Sequence, residues 1–167
     1  MTYTSSLYNI NIMKLEEAQE IVKWRYDSPY SRYDMSDEEE DIQELMDGTY
    51  FSAKNLEDEL IGFFCFGLNA QINAINKKVV YCDQTALDIG LGLRPDLTGQ
   101  GKGKEFLLAG IYFAQNQYTF QKLRLSVAAF NKRAISLYEN VGFVITGNLI
   151  NKHNKEVFFL MERECEK

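Results

Sequence analysis

The chain has 167 residues, with 18 Lys and Arg against 24 Asp and Glu and a formal net charge of -6. That length suits one domain, residues 1–167, whose core needs no disulfide or metal staple. The acidic balance excludes wholesale nucleic-acid binding, the longest apolar run (residues 61–68) is too short to cross a bilayer, and a single histidine, His153, excludes a His-rich metal or catalytic centre.

Residues 8–13 alternate apolar and polar side chains (Tyr8, Ile10, Ile12), the pattern of a first strand. A helix follows, with Ala18, Ile21 and Val22 at helical spacing. Ser36-x-x-Glu39 has the form of a capping box and predicts a second short helix with Ile42, Leu45 and Met46 on one face. Residues 49–56 and 59–68 predict an antiparallel hairpin around Leu56-Glu57-Asp58. The polar connection 69–84 carries one candidate strand extension, residues 79–82. Residues 86–94 read as a strand ended by Pro95, and Thr98-Gly-Gln-Gly-Lys-Gly103 then runs into a helix of about sixteen residues. Residues 122–128 predict a buried strand. Asn131 is a good N-cap for a helix through Glu139, and Gly142 a good residue to stop it. Residues 143–150 and 156–161 close the chain as a pair of strands. This order predicts a mixed sheet flanked by helices, an α/β or α+β domain.

The total charge hides a division. Residues 1–60 carry 15 acidic and 5 basic side chains, a net of -10. Residues 97–138 carry Lys102, Lys104, Lys122, Arg124, Lys132 and Arg133 against Glu105 alone, a net of +5. Either these are charges on solvated faces, or an anionic ligand is held by the second half and a cationic one is drawn to the first. Cys65, Cys82 and Cys165 form no C-x-x-C pair and read as reduced thiols of a cytoplasmic protein; no amino-terminal stretch has the form of a signal peptide.

Gly99, Gly101 and Gly103 sit where a strand gives way to a helix. Free N–H groups of the first turn and the helix dipole make such a place ready for an anion, although tight turns also use glycine for purely steric reasons. No Walker loop occurs. The spacing G-x-G-x-G, with no acidic residue between Glu105 and Glu139, also fails the dinucleotide fingerprint.

Leu93-Arg-Pro-Asp-Leu-Thr-Gly-Gln-Gly-Lys-Gly103 resembles the acyl-CoA loop of the GNAT superfamily of N-acetyltransferases. About thirty residues on, Asn131-Lys-Arg-Ala-Ile-Ser-Leu-Tyr-Glu-Asn-Val-Gly-Phe143 resembles that family's second signature. The fold this implies is a twisted, mostly antiparallel sheet of about seven strands with about four helices, splayed between its fourth and fifth strands, with acetyl-CoA in the split. One departure is Thr98, where the family's loop usually begins with Arg or Gln.

The resemblance implies transfer of an acetyl group from acetyl-CoA to a primary amine of a small molecule or protein amino terminus, with no metal. Leu91, Gly92 and Leu93 would meet the pantetheine arm, and Thr98, Gly99, Gln100, Gly101, Lys102, Gly103 and Lys104 the pyrophosphate. Asn131 and Tyr138 are seven residues apart, two helical turns, and so share a helix face. The resemblance makes Asn131 a contact to the CoA arm and Tyr138 the general acid for the departing thiolate; otherwise Tyr138 is a core tyrosine. Many relatives use a Glu as base on the fourth or fifth strand. Here the fifth-strand position falls near Ser126, and Asp88 is the substitute, or else a structural carboxylate, or no base is needed. Tyr26, Asp27, Tyr30 and Tyr33, with Asp34, could form an aromatic, anionic collar for the amine, or simply pack their loop down. The acidic run 37–41 reads as solvated surface that adds long-range steering. A homodimer is expected from the family's habit. A sensor that binds acyl-CoA without efficient catalysis is the alternative.

Overall fold

The alternation of residues 8–13 places Ile10 fully inside the protein on a strand that begins one residue later than the pattern. The computed structural model describes residues 3, 4, 7–36 and 38–165. Its strands are β1 (Tyr3–Thr4), β2 (Asn9–Ile12), β3 (Tyr50–Lys54), β4 (Leu60–Phe66), β5 (Ala86–Leu93), β6 (Lys122–Ala128), β7 (Val144–Ile150) and β8 (Val157–Glu164). Its helices are α1 (Leu15–Ile21), α2 (Glu39–Leu45), α3 (Lys77–Val80), α4 (Gly103–Gln117) and α5 (Lys132–Asn140). The strands hydrogen-bond in the order β1-β2-β3-β4-β5-β6-β8-β7. This is the mixed, mostly antiparallel α/β fold expected, with a two-residue β1 and a single-turn α3 added. Along the chain two compact units alternate: Met1–Cys65 with Leu91–Phe113, and Phe66–Gly90 with Ala114–Lys167.

In the first unit β1 to β4 form an antiparallel meander. Asn55 shapes the β3–β4 turn, its Oδ1 accepting from the N–H groups of Glu57 and Glu59 at 3.0 and 2.9 Å. Helix α1 starts without a Ser, Thr, Asp or Asn cap; instead the Lys14 N–H donates to Glu17 Oε1 at 2.9 Å, and the same buried carboxylate meets Lys54 Nζ at 3.0 Å. The capping box expected at Ser36 is not formed. Glu39 is the first helical residue of α2, not the third, and both the N–H and the hydroxyl of Ser36 donate to Asp41 Oδ2. Asp37, part of the predicted acidic run, lies outside the described residues.

Helix α4 packs its first three turns through aromatic contacts, Phe106 stacked on Phe64 at 4.4 Å between centroids and Phe113 tilted against Phe51 at 4.7 Å. Gly110 makes that approach possible, because a Cβ there would overlap the Phe64 ring. Gly110→Ala is therefore expected to cost about 1–3 kcal/mol through overpacking, read as a fall in the urea midpoint; an unchanged midpoint would contradict the close packing.

In the second unit the first three residues of β5 run parallel to β6, ending with Asp88 opposite Arg124. Strand β6 then pairs antiparallel with β8 over its full length, and β8 with β7. Residues 79–82 are not a strand extension. Val79 and Val80 donate to the Asn76 carbonyl and turn the backbone into α3, and Val80 and Tyr81 pack on Ala74, Leu149 and Leu160. Tertiary burial here overrides the β-propensity of Val-Val-Tyr. Helix α5 is capped as expected: Asn131 Oδ1 accepts from the Ala134 N–H at 3.1 Å, and Gly142 stops the helix at φ +105°.

Candidate active site

The residue that follows β5 is tied to the backbone of β4. The Arg94 N–H donates to the Ile61 carbonyl at 2.8 Å, and its guanidinium reaches the Leu60 carbonyl and Asp96. Leu91, Gly92 and Leu93 are half-buried. Gly92 is required as glycine, since a Cβ would overlap Cε1 and Cζ of Phe63. Beyond the short turn Pro95–Leu97, the Thr98 hydroxyl donates to the Pro95 carbonyl at 2.8 Å, and Gln100 Nε2 donates to the Asp96 carbonyl at 2.6 Å. Both side chains thus build the turn from within.

Gly99 and Gly101 then adopt φ of +73° and +76°, left-handed conformations that glycine takes without a steric penalty. The backbone around them is exposed, and Lys102 and Lys104 flank it at the surface. The first recorded bond into α4 runs from the Phe106 N–H to the Lys102 carbonyl, so the N–H groups of Gly103, Lys104 and Glu105 precede the helical ladder. With the positive end of a fifteen-residue helix behind them, these groups suit an anion such as a phosphate.

The loop after α1 is tied to the same strand end. Trp24 is buried and stacks on Phe63 at 6.3 Å. The Tyr26 hydroxyl donates to the Leu93 carbonyl at 2.7 Å, while its N–H donates to Asp34 Oδ1 at 2.9 Å. Burial, and then the Asp34 charge, push the Tyr26 phenol up to about 12, so it remains a donor throughout the neutral range. Asp27 and Tyr33 are exposed, and Tyr30 is half-exposed at the start of the turn Tyr30–Tyr33. The Tyr26 hydroxyl is thus turned toward the backbone of β5.

In the second unit Asp88 is buried, and both carboxylate oxygens are occupied. Arg124 Nε and Nη2 grip Oδ1 and Oδ2 at 2.7 and 2.8 Å, and Gln71 Nε2 adds 2.8 Å to Oδ2. Arg124 also donates to the Asp83 carbonyl and lies 5.1 Å from the centre of the Tyr81 ring. The Tyr81 hydroxyl is hydrogen-bonded to Ser126 Oγ and accepts from the Ile72 N–H. On α5, Asn131 gives its amide oxygen to the cap, and Tyr138 is half-buried with its ring edge-on to Phe143 at 6.0 Å.

Three partnerships escaped the sequence: Tyr26 with Leu93, Asp88 with Arg124 and Gln71, and Tyr81 with Ser126. The second had a signal. A lone Asp in an apolar strand and a lone Arg in another demand a partner once both strands are buried. Among the described residues no group of three or more His, Cys, Asp or Glu is placed to hold a metal ion, and no helix is long and apolar enough to cross a membrane.

Residues 15–143 match the family described as the acetyltransferase (GNAT) family. Two curated relatives, a spermine/spermidine N(1)-acetyltransferase of Bacillus subtilis strain 168 and a probable spermine N(1)-acetyltransferase of Bacillus subtilis subsp. natto, are each 32% identical over 94 residues, 56% of this chain. The match spans 58% of the length of those relatives. Among solved structures, a GNAT-family acetyltransferase from Bacillus anthracis superposes with a TM-score of 0.74 over 98% of both chains at 14% identity, a likeness of fold.

Proposed function

Because this chain belongs to the GNAT family of acetyltransferases, we propose that it moves the acetyl group of acetyl-CoA onto a primary amine of a small polyamine. The single observation that carries the reading is the turn at Gly99 and Gly101, left-handed at both glycines and opening directly into the first turn of α4. The family generally uses acetyl-CoA, and the N–H groups of this turn suit its pyrophosphate. The two curated relatives named for spermine and spermidine, and the -10 charge of residues 1–60, support a polycationic acceptor.

In this reading Leu91 to Leu93 receive the pantetheine arm, residues 98–104 the pyrophosphate, and Asn131 contributes its amide N–H group to the CoA arm. The amine nitrogen attacks the thioester carbonyl carbon, the C–N bond forms, and the C–S bond breaks. Tyr138 gives its proton to the leaving sulfur and recovers one from water. The ammonium formed by attack releases its own proton to water, which balances the one delivered to sulfur. Asp88 has the structural role, its charge committed to Arg124, so the amine enters already neutral. Tyr26, Asp27, Tyr30 and Tyr33 line the acceptor's approach.

The occupied Asp88 carboxylate and the inward-turned Thr98 hydroxyl favour one second reading, an acyl-CoA sensor without efficient turnover. Thiol release from acetyl-CoA with spermine, spermidine, aminoglycosides, amino acids and peptides separates the two. Release dependent on spermine or spermidine is the expected result. Tight acetyl-CoA binding with no acceptor-dependent release would favour the sensor, and no binding at millimolar concentration would end both.

A further inference from the structure

Phe63 is the one residue of β4 that is not buried. It sits in a clamp: Trp24 stacks on one side at 6.3 Å and 29° between planes, and Tyr50 tilts against it at 6.1 Å and 47°. Its ring edge lies on the backbone of Gly92 so closely that a single added methyl there would overlap Cε1 and Cζ. Neighbouring backbone is equally fixed, since a Cβ on Gly62 would meet the Gly92 carbonyl and the Leu93 carbonyl is taken by Tyr26. A half-exposed aromatic ring, held from two sides over a bare stretch of strand, closes the space above that strand to anything bulky.

We propose that Phe63 sets the length of the acyl group this protein accepts, restricting it to acetyl and its near neighbours. The inference rests on the assignment of Leu91 to Leu93 to the thioester arm. A thioester laid along that backbone presents its acyl chain beside Gly92, where the Phe63 edge already stands. A methyl group passes without displacing the ring. Each further methylene must push against a ring already packed against Trp24 and Tyr50. Misfit by one methylene in such a pocket is worth about 10–200-fold.

The test is titration of acetyl-CoA, butyryl-CoA and hexanoyl-CoA by calorimetry, which needs no acceptor, on the wild type, Phe63→Ala and Phe63→Leu. Thiol-release rates with spermidine are measured alongside. The wild type should lose at least about tenfold affinity from acetyl- to hexanoyl-CoA, and both variants should shrink that ratio to about threefold or less. The Phe63→Leu variant keeps the site apolar in case the alanine variant does not fold. Wild-type affinities that are equal for all three thioesters overturn the inference without recourse to any variant, as does a ratio unmoved by either substitution. If none of the three binds, the acetyltransferase reading has failed and the inference with it; if they bind but the ratio does not move, only the gauge has failed.

Discussion

Tyr138→Phe is expected to lower kcat by about a hundredfold or more while changing acetyl-CoA affinity by less than about threefold. The substitution removes one oxygen from a half-buried ring and leaves its edge-on contact with Phe143 in place. Under the proposed mechanism the loss falls on proton delivery to the departing sulfur, and kcat rather than KM carries it. Steady-state rates with spermidine and calorimetric titration with acetyl-CoA measure the two quantities separately. A variant turning over at the wild-type rate would make Tyr138 a packing residue. Equal losses in turnover and affinity would instead point to a contact with the CoA arm.

The second large effect concerns stability. Arg124→Met should destabilise the fold by about 3–5 kcal/mol, because it strands the Asp88 carboxylate in the interior with only Gln71 to meet it. Replacing both partners, Asp88→Leu with Arg124→Met, should recover much of the loss, since neither charge is then left buried alone. Urea unfolding of Arg124→Met, Asp88→Leu and the double variant against the wild type forms a double-mutant cycle. A single variant as stable as the wild type would show that the pair is not desolvated as its burial requires. The same cycle bears on mechanism: the double variant, if it folds and still releases thiol with spermidine, excludes Asp88 as an obligatory base.

That pair also marks the boundary of what could be read from the chain. Local signals were legible where a residue's partner lies within one turn. Asn131 and Gly142 bracket α5 because a cap bonds three residues away and a left-handed stop needs no distant help. The strand, glycine turn and helix from residue 86 to 117 are likewise written in consecutive residues. Signals failed where a second partner competed. Ser36 had the spacing of a capping box, but Asp41 drew its hydroxyl and N–H, and α2 opened at Glu39 without it.

The charge division needs the same correction. Two of the six basic residues counted toward an anion site are committed elsewhere, Arg124 to Asp88 and Lys122 to Asp83 and Glu162. Counting charge along the chain overstated what a ligand meets, since pairing is decided by strand register and not by sequence distance. The Asp88–Arg124 pair exists because the parallel ladder sets those two residues opposite one another, 36 positions apart.

The glycine turn before α4 has a further meaning for experiments on this protein. The anion site proposed there would be built from backbone N–H groups beside glycines of fixed dihedral angle, and its one hydroxyl, on Thr98, has its hydrogen directed to Pro95. None of those main-chain groups gains or loses a proton in the range where enzymes are assayed. The cradle is therefore a constant background against which acidity can be varied. Under the proposed function, a rate that changes with pH would have to draw on groups other than these main-chain donors.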